Sequence, residues 1–297
     1  MFPASFGYFA ARSLEEALEL LTKHGEGAKL LAGGHSLIPA MKLRLASPRY
    51  LIDLGQVPGL SGVRVDGDSL AIGALTVHAD VASSELVRQR LPGLAETASV
   101  IGDLQVRNRG TIGGSVAHAD PAADFPVILT ALAASFVLVS PAGKRTVAAE
   151  KFFIDFFTTA LAPNEVLTEI RVPLPPAGAG TAYAKLGHPA SGYVVVSAGA
   201  LVVRQPSGRC ASARVAIGGL GSVPIRATAT ETALQGQPLN PEVIAAAAAK
   251  AAEGTDPDGD LYASADYKRH MAAVYARRAI EKASERASKK VKTRMEI

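Results

Sequence analysis

The sequence predicts an α+β protein in two parts, the second built on a three-stranded antiparallel sheet followed by helices. Three observations predict it. Residues 173–180 read Pro-Leu-Pro-Pro-Ala-Gly-Ala-Gly, a composition that disfavours both helix and sheet interior and so divides the chain. Upstream of it, apolar residues at helical spacing alternate with short β-branched runs. Downstream, three long apolar runs separated by turn residues precede alanine-rich helical stretches. With 297 residues, 48% of them hydrophobic and 20% charged, the chain has the length of two or three compact units and lies far from the composition of disorder.

Element by element, Ser13-Leu14-Glu15-Glu16 forms a capping box, and Leu14, Ala17, Leu18 and Leu21 follow on one helical face until Gly25 ends the helix. Lys29 to Ala32 reads as a strand that runs into Gly33-Gly34. Leu37 to Leu45 then reads as a helical turn or two, closed by Pro48. Strands are expected at Tyr50 to Leu54 and Ser69 to Ala74, and helices at Thr76 to Gln89 and Pro92 to Ile101. A polar loop from Asp103 to Asp124 carries a second pair, Gly113-Gly114. A helix from Asp124 to Leu132, a strand from Ser135 to Val139, a turn at Pro141 to Lys144 and a strand from Glu165 to Val172 complete the first part. In the second part, Thr181 to Leu186, Tyr193 to Arg204 and Arg209 to Gly218 are the strands, with Gln205-Pro206-Ser207-Gly208 as a hairpin turn. Helices follow at Ala227 to Leu234, at Pro241 to Glu253 behind an Asn240 cap, and from Ser264 into a basic tail.

Several classes of function are excluded by what the chain lacks. A single cysteine, Cys210, makes no internal disulfide and holds neither a four-cysteine zinc site nor an iron–sulfur cluster. The net charge of +4 is misleading as a nucleic-acid signal. Residues 277–297 hold eight Lys or Arg against three Glu, which leaves residues 1–276 at −1, so no basic body is present to track a phosphate backbone. There is no P-loop and no G-x-G-x-x-G between an early strand and a helix. No apolar run reaches about 18 residues and the N-terminus has no signal-peptide pattern, so a soluble cytoplasmic protein is expected.

Two segments have a form suited to chemistry: Ala32-Gly33-Gly34-His35-Ser36 and Thr111-Ile112-Gly113-Gly114-Ser115. Paired glycines let successive backbone N–H groups turn toward one point, forming a concave anion site, and Ser36, Thr111 and Ser115 add hydroxyl donors. Two such nests meeting in space suit a diphosphate; taken singly, each reads first as a plain tight turn. His118, Asp120 and Asp124 are open to reading as metal ligands, but the other histidines are scattered. Asp124, at the start of a helix, reads better as a cap or as an acceptor for ligand hydroxyls. No metal site and no catalytic acid or base is assigned.

With these motifs in view, the chain resembles the FAD-binding medium subunits of molybdenum hydroxylases. The resemblance is carried by Ala32 to Pro39, by Arg109 to Ser115 continuing through Asp120-Pro121-Ala122-Ala123-Asp124, and by Ser264 to His270. It runs from Phe6 to about Ala283 and leans toward the aerobic carbon monoxide dehydrogenase type, related to the flavin domain of xanthine dehydrogenase. It implies a two-part PCMH-type FAD-binding domain over residues 1–175, with subdomains near 1–57 and 58–175. A C-terminal domain over 178–285 and a basic tail over 286–297 follow.

By that resemblance, Leu30, Leu31, Ala32, Gly33, Gly34, His35, Ser36 and Leu37, with Thr111, Ile112, Gly113, Gly114 and Ser115, wrap the FAD diphosphate. Asp124 takes ribityl or ribose hydroxyls, Ile101 and Leu167 touch the cofactor, and Lys185 and Tyr193 face the isoalloxazine. A lysine there stabilises charge gathered by the reduced ring, and a tyrosine covers its face. The resemblance further implies molybdopterin on a large partner subunit, two-iron two-sulfur clusters on a small one, and a dimer of heterotrimers. Electrons would leave to a quinone, NAD or oxygen, from the cytoplasm or the inner face of the membrane, and no nucleic acid is involved. Carbon monoxide is the first choice of substrate; xanthine-, nicotine- and aldehyde-type hydroxylases, a self-contained flavin oxidase and a non-catalytic scaffold are the alternatives.

Overall fold

In the computed structural model, which describes residues 2–295, the chain opens on a strand that the sequence reading lacks, β1 (Gly7–Ala10), and then on helix α1 (Leu14–His24). Ser13 Oγ accepts a hydrogen bond from Glu16 N (3.1 Å), and the Glu16 carboxylate reaches back to accept from Arg12 N (2.7 Å). The Ser13 cap forms as expected, with a contribution of roughly 1 kcal/mol, whereas Glu16 takes the N–H one residue before the cap rather than the cap's own; α1 turns Ala17, Leu18 and Leu21 inward. Strand β2 (Ala28–Leu31), helix α2 (Leu37–Lys42) and strand β3 (Tyr50–Asp53) follow. They complete a parallel sheet ordered β1-β3-β2, and the expected strand, glycine turn and helix lie between β2 and α2.

A second sheet begins with the hairpin β4 (Val63–Asp66) and β5 (Ser69–Gly73). Six helices come next: α3 (His78–Ser83), α4 (Glu85–Arg90), α5 (Pro92–Ser99), α6 (Leu104–Arg107), α7 (Ile112–His118) and α8 (Asp124–Ala131). After them come β6 (Ser135–Ser140), β7 (Gly143–Ala148), α9 (Ala149–Phe152), the small hairpin β8 (Phe153–Asp155) with β9 (Thr158–Thr159), and β10 (Val166–Pro173). Strand β10 returns between β5 and β6, giving the antiparallel order β4-β5-β10-β6-β7. The helices cover this sheet around Phe125, Phe136 and Phe152, all fully buried.

Two expectations are corrected here. The single helix expected over Thr76 to Gln89 is two, because Ser84 leaves helical backbone (φ −57°, ψ 121°) to end α3 and cap α4. The polar loop expected over Asp103 to Asp124 contains α6 and α7. Asp103 Oδ1 caps the first by accepting from Val106 N (2.8 Å), and Thr111 Oγ1 caps the second by accepting from Gly114 N (3.1 Å). The glycine pair depresses intrinsic helix propensity at α7, while burial of Ile112 and Val116, four apart, supplies the packing that forms it.

Beyond the proline-rich boundary lie the three expected long strands, β11 (Ala179–Gly187), β12 (Val194–Arg204) and β13 (Cys210–Gly218). A two-residue strand, β14 (Ile225–Arg226), adds to their edge. Helices α10 (Thr228–Leu234), α11 (Pro241–Ala248) and α12 (Ala265–Met295) complete the chain. The basic tail expected from residue 286 continues α12 as far as Met295, and its last two residues lie outside the described ones.

Strand alternation explains how the second part sits on the first. Along β11, Ala182, Ala184 and Leu186 face a core shared with α12, while Tyr183 joins the core of the first part and Thr181 Oγ1 accepts a hydrogen bond from Gly93 N of α5 (3.0 Å). The sheet is therefore held between α5 and α8 on one side and the alanine face of α12 on the other: Ala272, Ala276, Ala279 and Ala283 are all fully buried.

Glu96 of α5 ties the layers together. It takes hydrogen bonds from Arg286 Nη1 (3.0 Å) and Lys282 Nζ (2.6 Å), and Arg286 Nη1 also donates to Thr181 O (2.7 Å). Burial opposes the Glu96 charge, yet these two cations hold its carboxyl below the usual range. Stability from the pair is thus present above the ordinary glutamate value of 4.5 and lost as the pH falls through the lower folded value. Glu96→Gln is expected to lower stability by about 1–2 kcal/mol at neutral pH and by little in acid, as read by urea unfolding at the two pH values. An equal loss at both would remove the charge from the account.

Candidate functional site

The two glycine segments meet. A methyl group on Gly33 would lie 2.0 Å from Arg109 O and 2.8 Å from Gly110 Cα, and one on Gly114 would lie 3.8 Å from Ala32 Cβ. The backbones of residues 32–34 and 109–114 are therefore in contact. Gly34 has φ +76°, a conformation that bends successive N–H groups toward one side. Among the described residues, the backbone N–H groups of Ala32 to Leu37 donate to no protein acceptor, so this segment presents a run of free donors.

The second segment differs from the expected nest. Ile112 N donates to Thr76 O (3.0 Å), Gly113 N to Ala74 O (2.8 Å), Gly114 N to Thr111 Oγ1 (3.1 Å) and Ser115 N to Thr111 O (3.0 Å). Its amides are committed, and Gly113 is glycine because a methyl group there would lie 2.5–2.7 Å from atoms of Ala74. What this segment offers an anion is the half-buried Ser115 that follows the pair. Behind the crossing sits His78, 5% exposed, with its Nδ1 unpartnered and its ring 5.2 Å from Phe125. Burial, with repulsion from His35 and Arg107, pushes its imidazole down to about 4, so it is neutral at physiological pH.

A second group of residues converges at the start of α8. Asp124 opens α8 and is buried. Its Oδ1 accepts from Tyr183 OH (2.8 Å) and from Lys185 Nζ (2.9 Å), both on β11. Lys185 Nζ also donates to Val100 O (2.9 Å), at the end of α5, and to Gly192 O (2.9 Å), in the loop before β12. One ammonium thus joins the residues next to Ile101 and Tyr193 to Asp124. Burial holds the Asp124 carboxyl above the usual aspartate range, against the pull of Lys185 and Tyr183, and burial beside Asp124 keeps Tyr183 protonated.

The remaining expected residues are more spread. Ile101 is half-buried beside this group, whereas Leu167 lies in β10 opposite Leu138, within the first core. Tyr193 is 48% exposed and lines an open cleft of about 420 Å³ with Pro121, Ala122, His188 and Tyr262. Burial, then the charges of Asp120 and Asp124, raise its phenol. Tyr183 is absent from the sequence reading. Its signal was the period of two along β11, which puts residues 183 and 185 on one face.

Chemically, the arrangement offers free N–H donors for an anion at residues 32–37 and an acceptor for hydroxyls at Asp124. Among the described residues no group of three or more His, Cys, Asp or Glu is placed to hold a metal ion, and no helix is long and apolar enough to cross a membrane.

Comparison with known proteins gives two family matches. Residues 4–175 match the FAD-binding domain of molybdopterin dehydrogenases, and residues 181–283 match the C-terminal domain of CO dehydrogenase flavoproteins. The carbon monoxide dehydrogenase medium chain of Hydrogenophaga pseudoflava is 45% identical over 95% of this chain and 98% of its own length. The 6-hydroxypseudooxynicotine dehydrogenase complex subunit alpha of Paenarthrobacter nicotinovorans is 39% identical over 97% of each. In structure, the chain superposes on a chain of the carbon monoxide dehydrogenase from Hydrogenophaga pseudoflava with a TM-score of 0.92, covering 96% of this chain and 99% of that one at 45% identity.

Proposed function

Because this chain belongs to the family of FAD-binding flavoproteins of the molybdopterin dehydrogenases, we propose that it is the electron-transferring medium subunit of a carbon monoxide dehydrogenase-type complex. In this reading it relays electrons from two-iron two-sulfur clusters on a small partner chain to an external quinone, NAD or oxygen. Substrate is oxidised at molybdopterin on a large subunit. The assembly is a dimer of heterotrimers in the cytoplasm or against the inner face of the membrane. The FAD-binding unit is residues 1–175 and the C-terminal unit 178–285.

The observation that carries the reading is the run of free backbone donors at Ala32 to Leu37, packed against the 109–114 segment, with Asp124 at the start of α8. These residues fit the cofactor. The donors suit a diphosphate, with Leu30, Leu31, Thr111, Ile112, Gly113, Gly114 and Ser115 shaping the cradle. Asp124 has an oxygen left to accept from sugar hydroxyls, and Ile101, Lys185 and Tyr193 form the surroundings of the ring, while Leu167, also expected there, lies in the first core. When bound, FAD supplies a carrier that exchanges electrons singly or in pairs. This chain's own task is to hold it, orient it and screen it from water; no side chain need take a proton from the substrate of the complex.

Carbon monoxide is the favoured substrate because of the 45% identity to a carbon monoxide dehydrogenase medium chain. The 39% identity to a subunit of a 6-hydroxypseudooxynicotine dehydrogenase supports a heterocycle hydroxylase as the second reading, since the substrate pocket lies on another chain. An absorption spectrum and subunit analysis of the complex purified from its source test the proposal. Expected are flavin bands near roughly 450 nm, iron–sulfur absorbance, molybdenum, two co-purifying chains, and bleaching by carbon monoxide. Bleaching by a heterocycle alone would move the assignment to the second reading, and a stable colourless single chain would favour a scaffold.

A further inference from the structure

We propose that Tyr183 is the positioning residue of the flavin site: it fixes the Asp124 carboxylate with one oxygen saturated and the other free to accept from sugar hydroxyls. The inference rests on the reading of Asp124 as that acceptor. Tyr183 is 6% exposed, and its hydroxyl lies 2.8 Å from Asp124 Oδ1. Lys185 Nζ reaches the same oxygen at 2.9 Å, so Oδ1 has both donors and Oδ2 has none from the described side chains.

The two donors are not equivalent. Lys185 ends a flexible four-carbon stem and divides its protons among Asp124, Val100 O and Gly192 O. Tyr183 has a rigid ring set in the core of the first part, on a strand whose pairing is continuous from Ala179 through Leu186. The terminal torsion of an aspartate is broad and roughly two-fold. A stiff donor on one oxygen removes that freedom before a ligand arrives, which lowers the ordering cost of binding.

The same hydrogen bond favours the charged form. An ionised carboxylate only accepts, which suits hydroxyl donors, whereas a protonated one carries an O–H of its own and accepts from them more weakly. The groups facing Asp124 are Tyr183 and Lys185 from β11 and Tyr193 from the loop before β12; Asp120, from the connection before α8, faces Tyr193. Burial disfavours ionisation; Lys185 and Tyr183 oppose it. Loss of the Tyr183 hydroxyl therefore moves protonation of Asp124, and with it the loss of binding, to higher pH.

The experiment uses the purified complex, stripped of flavin and titrated with FAD itself from about pH 5.5 to 9. Tyr183→Phe is expected to weaken FAD binding about tenfold near pH 6 and less than about twofold near pH 9, the falling limb of the affinity curve having moved up in pH. A curve parallel to wild type, whether weakened or not, overturns the proposal. Asp124→Asn, with no carboxylate to titrate, is expected to bind weakly with no falling limb. Wild-type affinity in that variant would overturn the reading of Asp124 itself. Loss of binding by Asp124→Asn with an unmoved limb in Tyr183→Phe would overturn only the role of Tyr183. Should the phenylalanine variant not fold, 3-fluorotyrosine placed at position 183 keeps the shape and is a stronger donor. It is expected to move the limb to lower pH, and no movement overturns the proposal equally.

Discussion

Alanine in place of Gly33 is expected to strip the protein of FAD and to lower its stability by about 3 kcal/mol. The added methyl would lie 2.0 Å from Arg109 O and 2.8 Å from Gly110 Cα, both backbone atoms of a segment anchored by His78 N, which donates to Gly110 O (2.9 Å). No side chain can swing aside to relieve the clash. The 109–111 segment must part from residues 32–34, and the row of free donors loses the wall against which it is set. Gly34→Ala provides the comparison. Its methyl would meet only the side chains of Ile38 and Leu31, at 3.1 and 3.2 Å, and its main penalty is φ +76°, about 1 kcal/mol. Urea midpoints and flavin-to-protein ratios of the two variants check the expectation; equal behaviour would show that contact between the segments is not what Gly33 protects.

Lys185→Met is expected to be the most damaging single change away from the glycines, destabilising by about 3 kcal/mol at pH 8. It leaves Asp124 buried without its cation and leaves Val100 O and Gly192 O without a donor. The sign of the pH dependence follows from Asp124. Its folded value already lies above the ordinary 3.8 because of burial, so the folded chain keeps a proton that the unfolded chain has lost, and stability falls as pH rises through that window. Removing Lys185 raises the folded value further, which steepens the fall and extends it upward in pH. The variant is therefore expected to recover part of its deficit near pH 5. Urea unfolding at the two pH values measures this; a deficit constant with pH would show that packing of the lysine stem, not its charge, is what matters.

Much of this was legible in the residues, for reasons that can be named. The Ser13 cap, the β2, glycine turn and α2 sequence, and the long strands of the second part are specified locally, by caps, turn residues and runs of one period. Helix α7 was not, because Gly113-Gly114 reads as a break. What forms the helix is Ile112 and Val116 packing inward and Ala74 pressing on Gly113, contacts with strands distant in sequence. The edge strands β1, β4 and β7 are short, and β4 and β7 are mostly solvent-facing, so their apolar pattern is faint. At the site, the meeting of the two glycine segments was anticipated, but not the division of labour between them, since hydrogen bonding of amides 112 and 113 depends on the register of the 74–76 backbone. Tyr183 was missed because its partner lies 59 residues away.

The arrangement around Asp124 also fixes an order of events in biosynthesis. Asp124 and Val100 belong to the first part of the chain, whereas Tyr183, Lys185 and Gly192 belong to the second, and β11 is itself held by β12 and by Arg286 of α12. At about 5–20 residues per second, a ribosome delivers the glycine segments several seconds before the strand that completes the site, and α12 emerges last. On the proposed reading of these residues, flavin capture waits for the finished polypeptide, and a chain cut short near the proline-rich boundary is expected to release FAD.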